Sequence, residues 1–256
     1  MSVIKKNKLN TLIGNWPRGM IYTQSYLTKL GITRDNVKKY RRNKWISNVG
    51  RGAYRLSNDV IDIYGAINAL QTQLKTPIHL GGKSIIELKG YAQYPKFGKP
   101  QFYVYAPTGT IIPKWFLDYN WGGRLKIIKT RFLPEMTEFS FTTYQKENLP
   151  IKISSLERAV LELLYHIPGD QGFEETELIL EGLQNLRVQA LQELFEACKS
   201  IKVVRLGLYF ADSLNLPWFS KLDVNKVNMG KGKRVIQSGG ILDKKYLITV
   251  PKDTSI

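Results

Sequence analysis

Apolar residues in the amino-terminal part of the chain recur at helical spacing, with short polar breaks between the runs. A first helix is predicted by four residues that keep i, i+3, i+4, i+7 spacing before the break GNWPRG: Leu9, Leu12, Ile13 and Trp16. The segment TQSYLTKLG predicts a second short helix, which Thr23 caps and Gly31 ends. Three residues of this second helix are expected to face inward: Tyr26, Leu27 and Leu30.

A third helix is predicted to start after Thr33, its N-cap, with Asp35 in the first turn, where the helix dipole favours an acid. Val37 and Tyr40 fall on one face of this helix and predict its buried side. The other face is basic and carries Arg34, Lys38, Arg41 and Arg42.

The segments WISNV and AYRL, joined at GRG, predict a β-hairpin with glycines available for positive φ. Three short helices followed by a hairpin predict a winged helix-turn-helix. The basic third helix would be the recognition helix in a major groove, and Arg51 would lie at the tip of the wing.

The charge of the chain is concentrated in this unit. Residues 1–56 contain 13 lysines and arginines against one aspartate, in a chain whose net charge is +17. Like charges repel, so such a cluster is costly unless a polyanion or water absorbs it. A solvated basic face is the simpler interpretation. The coincidence of charge with helix-turn-helix spacing favours nucleic acid instead, and the lack of a stacking-aromatic RNA signature favours DNA.

The remainder predicts a mixture of helices and strands. Residues 58–75 predict a helix, and TPIHLGGKSIIELKGY predicts a strand, a glycine turn, and then a strand or a short helix. Ser154 and Glu157 have capping-box spacing at the start of a helical section, which EETELILEGLQNL and RVQALQELFEAC continue. The end is predicted to return to strands over KVVRLGLYFA, KRVIQSGG and DKKYLITV.

We therefore predict an α+β protein with two domains. A winged helix-turn-helix DNA-binding domain with its connecting helix covers residues 1–92 (core 1–57), and a larger mixed α+β domain covers residues 93–256.

Composition and segment pattern exclude several classes of protein. No apolar run approaches the ~20 residues needed to span a bilayer. MSVIKKNKLN has charges without a following apolar region, so we expect no signal peptide. Cys198 is the single cysteine, which excludes an intramolecular disulfide and fits a cytoplasmic protein; its step with apolar neighbours predicts a buried residue.

Three small features invite a chemical interpretation. His79 and His166 lack metal-ligand spacing and are interpreted as structural residues. The loop over residues 230–234, GKGKR, lacks the P-loop order and predicts a basic hairpin turn. Three of its side chains are candidates for contact with a DNA backbone: Lys231, Lys233 and Arg234. The acids at positions 174, 175, 177 and 181 predict a solvated helix face, with a grip on a basic partner as the alternative.

One enzymatic hypothesis comes from the segment IELK. Glu87 and Lys89 would alternate onto one side of a strand, and Asp59 or Asp62 would complete a magnesium nuclease site. The pattern is short and both upstream acids lie on a predicted helix, so an ordinary half-exposed strand is the simpler interpretation.

Five ordered blocks, spanning about residues 5–251, carry a resemblance to a known family: GMIYTQSYLTKLGITRDNVKKYRRNKWISNVGRGAYRL, HLGGKSIIELKGY, ISSLERAVLELL, VVRLGLYFAD and MGKGKRVIQSGGILDKKYLITVP. Together they resemble the AbiEi-type antitoxins of bacterial type IV, abortive-infection toxin–antitoxin systems. The resemblance implies an N-terminal domain that binds double-stranded DNA at inverted repeats in its own promoter and represses the operon. It also implies a C-terminal domain that counters a nucleotidyltransferase-like toxin encoded beside it, without a stable complex between them. It supplies no catalytic residue and no cofactor, and so implies a protein that is not an enzyme.

On this resemblance, residues 34–44 correspond to the recognition helix and residues 45–56 to the wing. Ten side chains are expected to contact DNA: Gln24, Ser25, Arg34, Asn36, Lys38, Lys39, Arg41, Arg42, Arg51 and Arg55. Of these, Gln24 and Ser25 would hold a phosphate at the start of the preceding helix.

Two other functions stay open at the level of the sequence. One is a nuclease directed to DNA by the winged helix, with Glu87 and Lys89 in its active site. The other is a transcription regulator whose second domain senses a small molecule, with residues 91–121 lining the pocket.

Overall fold

The computed structural model describes residues 8–91, 98–134 and 138–252, and its amino-terminal unit consists of three helices and a three-stranded sheet. The elements of this unit, in chain order, are α1 (Lys8–Gly14), β1 (Tyr22–Thr23), α2 (Gln24–Lys29), α3 (Arg34–Arg42), β2 (Ile46–Gly50) and β3 (Ala53–Leu56). The strands pair antiparallel in the order β1–β3–β2, so β2 and β3 form a hairpin. This arrangement confirms the predicted winged helix-turn-helix.

A small apolar core holds the winged helix together. Its buried members are Leu12, Trp16, Tyr22, Leu27, Ile32, Val37, Tyr40, Ile46, Tyr54 and Leu56. The expectation that Leu30 faces inward is wrong, because α2 ends at Lys29 and Leu30 is left 48% exposed beyond the last helical turn.

The second unit begins with the helix after the wing and is built around a mixed sheet. Its elements are α4 (Ile63–Thr72), β4 (His79–Leu80), α5 (Lys83–Leu88), β5 (Gln101–Ala106), α6 (Lys114–Asp118), β6 (Arg124–Lys129), β7 (Phe141–Lys146), β8 (Leu149–Ser154), α7 (Leu156–Tyr165), α8 (Phe173–Glu181), α9 (Val188–Ala197), α10 (Ile201–Ser213), β9 (Ile241–Asp243) and β10 (Ile248–Val250).

The strand order of the five-stranded sheet is β6–β5–β4–β8–β7. The pairs β5–β6 and β4–β8 are parallel, and the other two pairs are antiparallel. Helix α4 packs on β8, while α7 packs against α5, α9 and α10, so α7 lies at the centre of the helical layer. The predicted domain boundary at residues 92 and 93 lies outside the described residues.

The longest helix, α10, occupies a segment for which the sequence predicted a strand, so that prediction is wrong. Nine consecutive residues, 203–211, are buried. A helix that is buried on all sides loses the polar face that marks its period, and its β-branched residues then resemble a strand. Gly207 leaves room for the ring of Phe195 on α9, since a Cβ there would lie 2.6 Å from Cε1 of Phe195. No helix in the described part of the chain has the length and apolarity needed to cross a lipid bilayer.

Two further local predictions are corrected. Ser155, not Ser154, caps α7: its Oγ accepts a hydrogen bond from the Arg158 N–H at 3.2 Å, whereas Ser154 ends β8. The predicted strand KRVIQSGG contributes only an isolated bridge between Arg234 and Ile248, and the strand that pairs with β10 is β9. Both errors come from tertiary pairing that a local pattern does not contain.

The winged helix is joined to the second unit by buried polar contacts as well as by the chain. The side-chain amide of Gln73 at the end of α4 donates to the Ile21 carbonyl oxygen at 2.6 Å and accepts from the Thr23 N–H at 2.9 Å. The Gly19 N–H donates to a carboxylate oxygen of Asp59 at 2.7 Å. Because these partners lie about 40 to 50 residues apart in the chain, they fix the winged helix onto α4.

A buried carboxylate links the sheet to the helical layer. Glu162 on α7 is fully buried and accepts four hydrogen bonds, from the His79 ring, the Gly82 N–H, the Ser154 hydroxyl and the Arg158 guanidinium, at 2.7 to 2.9 Å. Burial alone would raise the pKa of this carboxyl, but His79, Arg158 and Ser154 favour the charged form more strongly and lower the pKa to about 2.

We expect Glu162→Gln to lower the free energy of unfolding by about 3–5 kcal/mol at pH 7, because it removes one partner of a buried ion pair. The carboxyl has a folded pKa of about 2 against an ordinary value of 4.5, so its stabilising contribution is complete above 4.5 and is lost as the pH falls towards 2. Urea denaturation measured between pH 7 and pH 3 checks both points. The variant should lose less stability on acidification than the wild type does. Glu196→Gln on the exposed face of α9 is the matched control; an equal loss in both variants would contradict the assignment.

Candidate nucleic-acid interface

The basic helix α3 starts at a complete capping box. The Asn36 N–H donates to Oγ1 of Thr33 at 3.2 Å, and the Thr33 N–H donates to Oδ1 of Asn36 at 3.1 Å. Asp35 lies in the first turn, as its position predicted. Because these two bonds satisfy the amides of Thr33 and Asn36, the helix has a fixed starting point on the surface of the winged helix.

The two faces of α3 differ sharply in exposure. Val37 and Tyr40 are buried in the winged-helix core. The exposed side chains are all basic apart from Asp35: Arg34, Lys38, Lys39, Arg41 and Arg42. The ion pair of Lys38 with Asp35, 3.4 Å long, joins two side chains that are at least three-quarters exposed, so it contributes little. Among the described residues, the other four exposed cations of α3 form no ion pair.

The wing presents one of its two predicted cations to solvent. Arg51 is exposed at the tip, where Gly52 has a φ of 80° that the turn requires. Arg55 is half-buried instead: its Nη1 donates to the Asp59 carbonyl oxygen at 2.5 Å, and its Nε is buried without a partner among the described residues. Arg55 therefore fastens the end of the wing to the segment that leads into α4.

A groove runs between α3 and the wing strand β2. It is lined by Lys38, Arg41, Arg42, Ile46, Ser47 and Asn48. The sequence did not predict Ser47 and Asn48 as site residues, because polar residues are ordinary on an exposed strand. Only the packing of α3 against β2 places them beside the arginines. Asn48 is exposed, and an amide offers both donors and an acceptor to an adjacent polar edge.

The start of α2 places its two predicted phosphate-binding residues differently. Ser25 is exposed on the surface, and its hydroxyl forms a hydrogen bond of 3.1 Å with the Thr23 hydroxyl. Gln24 is half-buried, and its amide lies within 3.4 Å of the Thr28 and Tyr54 hydroxyls. The side-chain amide of Gln24 therefore already has intramolecular partners.

The predicted basic loop near the carboxyl terminus is exposed and anchored from below. Lys231, Lys233 and Arg234 are all exposed. Fully buried Arg205 of α10 holds the loop, because its guanidinium donates to the carbonyl oxygens of Met229 and Gly232, both at 2.6 Å. This loop lies beside β10 in the second unit and forms no part of the groove along α3.

Comparison with protein-family models covers almost the whole chain. Residues 5–97 match the model of the transcriptional regulator AbiEi antitoxin N-terminal domain, and residues 99–251 match the model of the transcriptional regulator AbiEi antitoxin of type IV toxin–antitoxin systems. The chain belongs to the AbiEi antitoxin family of transcriptional regulators. Membership implies a DNA partner and a toxin partner in general terms, and the resemblance stated from the sequence is confirmed.

The fold of this AbiEi family member also occurs in a solved structure. The crystal structure of the RV2827C protein from Mycobacterium tuberculosis matches it with a TM-score of 0.59 at 14% sequence identity, covering 94% of this chain and 88% of that one. At that identity the match shows a shared fold. No curated protein matches this chain significantly.

In this AbiEi family member, the residues of the nuclease hypothesis do not have the predicted arrangement. Glu87 lies on α5, a helix, so the strand alternation with Lys89 is wrong. Asp62 caps α4 and pairs with Lys146 at 2.6 Å, while Asp59 accepts the bond from Gly19. Within the described ranges, no three His, Cys, Asp or Glu side chains are grouped so that they could hold a metal ion.

Tertiary structure brings the two histidines to one tyrosine. The His79 ring stacks on Tyr105 with the ring centres 5.6 Å apart, and His166 lies 2.9 Å from the Tyr105 hydroxyl. Burial lowers the pKa of both histidines.

Cys198 is buried, and burial raises the pKa of its thiol to about 11, so it stays protonated near neutral pH.

We expect Thr33→Ala to lower the free energy of unfolding by about 1 kcal/mol, because it removes the N-cap acceptor of α3. Chemical denaturation with far-ultraviolet circular dichroism measures the change. Thr28→Ala is the control, since Thr28 is exposed at the end of α2 and caps no helix. Equal effects of the two changes would show that the capping box does not stabilise α3.

Proposed function

We propose that this AbiEi-family regulator binds double-stranded DNA at inverted repeats in its own promoter and represses its operon. The same protein would counter a nucleotidyltransferase-like toxin encoded beside it, through its second domain and without a stable complex. The observation that carries the DNA-binding half is the row of exposed basic side chains on α3 beside the polar groove of the wing.

The geometry of α3 suits a major groove. An α-helix fits the width of that groove, and its exposed side chains then meet base edges while flanking cations meet phosphates. In this proposal Lys38, Arg41 and Arg42 read or clamp the groove, since they line the space between α3 and β2. Arg34 and Lys39 extend the basic face, and Asn48 joins the base-facing set.

The remaining predicted contacts take narrower roles in the proposal. Arg51 holds the backbone or minor groove next to the site, as expected for a wing tip. Oδ1 of Asn36 is used in the capping box, so only its amide nitrogen would reach DNA. Arg55 positions the wing, Gln24 and Ser25 flank a phosphate, and the exposed loop at residues 231–234 offers a second, separate contact to the DNA backbone.

Charge explains why binding should depend strongly on salt. Each phosphate neutralised by a lysine or arginine releases condensed counterions. If about 6–8 phosphates are neutralised, the logarithm of affinity falls against the logarithm of salt concentration with a slope of roughly −5 to −7.

Binding of the full chain to the duplex upstream of its own gene, compared with a scrambled duplex across salt concentrations, tests the first half. We expect Lys39→Gln to flatten the slope by about one unit on both duplexes. Arg42→Ala should cost on the order of 1–3 kcal/mol on the upstream duplex only, if Arg42 reads a base. Lys221→Gln is the matched control, because Lys221 is exposed in the second unit and forms no ion pair with a described residue. Equal, weak binding to both duplexes would refute self-repression.

Co-expression with the neighbouring toxin tests the second half separately. We expect the full chain with Arg42→Ala to keep its protection against the toxin while repression of a promoter reporter is lost. The reason is that α3 and the second unit have separate cores. Loss of both activities in a variant that stays folded would show that protection operates through DNA binding.

A further inference from the structure

The second unit contains a cavity of about 180 Å³ at the place where the sheet meets the helical layer. Its walls come from the ends of β5 and β6, from α7 and from the connection between α9 and α10. The described lining residues are His79, Tyr105, Ala106, Pro107, Thr130, Arg131, Leu133, Pro134, Arg158 and Lys199. The cavity lies apart from the groove along α3, with which it shares no lining residue.

The charged groups among the described lining residues of this cavity are all cations. Arg131, Arg158 and Lys199 are cations, and no carboxylate occurs among the described lining residues. Arg131 and Lys199 are exposed and form no ion pair with any described residue. Glu162 offsets the charge of Arg158 through its bond to Nε, which leaves Arg131 and Lys199 without a counter-charge among the described residues.

Arg158 is held so that one edge of its guanidinium stays open. Its side chain is 5% exposed, its Nε donates to Glu162 at 2.8 Å, and its Nη1 donates to the Pro134 carbonyl oxygen at 2.7 Å. Within the described part of the chain, Nη2 has no hydrogen-bond partner. Arg158 lines the cavity, and a rigid guanidinium with an N–H free of intramolecular partners is a place for an acceptor to bind.

We propose that this cavity binds the phosphoryl group of a small ligand, either orthophosphate or the phosphate of a nucleotide. Arginine and lysine are the side chains that bind phosphate oxygens most effectively, and the Arg158 fork is already oriented by Glu162. A water molecule occupies about 30 Å³ in the liquid, so the cavity has room for about six waters. That volume accommodates a phosphate but not a whole nucleotide, whose sugar and base would lie outside.

A phosphate of duplex DNA does not suit this site. The backbone of a duplex is contacted by side chains that project from the protein surface, whereas Arg158 is buried below it. A small ligand, by contrast, would tie together the end of β6, the helix α7 and the α9–α10 connection. Binding would then stabilise the folded state, and this stabilisation grows with the logarithm of ligand concentration once that concentration exceeds the dissociation constant.

Calorimetric titration and thermal denaturation of the full chain test the proposal, with orthophosphate and AMP at constant ionic strength set by potassium chloride. We expect a saturable heat at one site per chain and a melting temperature that rises with ligand concentration. The double variant Arg131→Gln, Lys199→Gln should weaken binding by at least about tenfold, because two charge-assisted contacts are lost. Both residues are exposed, so this variant should fold. Lys221→Gln, the matched control, should bind as the wild type does.

The outcomes separate the two sources of phosphate and the two proposals. Tighter binding of AMP than of orthophosphate identifies a nucleotide, and equal binding identifies free phosphate; both support the site. An effect no larger than that of chloride, or equal binding by the double variant and the wild type, overturns it. Arg42→Ala should leave phosphate binding unchanged, so failure here is distinguishable from failure of DNA recognition.

Discussion

The buried carboxylate of Glu162 is the interaction on which the second unit depends. A lone charge would be very costly in that position, but two positively polarised side chains, a hydroxyl and a backbone amide surround it and keep it ionised. Because those donors come from β4, the turn after it, β8 and α7 itself, one side chain fixes the helical layer relative to the sheet. The same carboxylate orients Arg158 at the cavity, so the proposed phosphate site follows from a structural requirement.

The winged helix has a different physical problem, since a small core must support a strongly basic surface. The core described for it holds ten buried apolar side chains, which are few for a unit with twelve net positive charges in residues 1–56. Its attachment to α4 through the buried amide of Gln73 adds to that core. The basic side chains of α3 repel one another in the free protein. The same charges account for its proposed affinity for DNA, because their binding releases the counterions condensed on the phosphates.

Predictions of structure from the sequence were correct where they depended on residues close together in the chain. The N-cap at Thr33, the buried pair Val37 and Tyr40, and the hairpin after them each depend on neighbours within a few residues. Errors occurred where distant partners decide. Residues 203–211 form a helix although they read as a strand, because they are surrounded on every side.

By itself, the sequence determined the fold class, the winged helix with its basic face and, through the order of its blocks, the family. Periodicity, capping and charge are properties of contiguous segments, so one chain is enough to read them. Only the tertiary structure decided the strand order of the sheet, the groove that includes Asn48 and the cationic cavity around Arg158. Those features join residues up to 120 positions apart, such as His79 and Lys199 at the cavity, and no spacing along the chain encodes which of them meet.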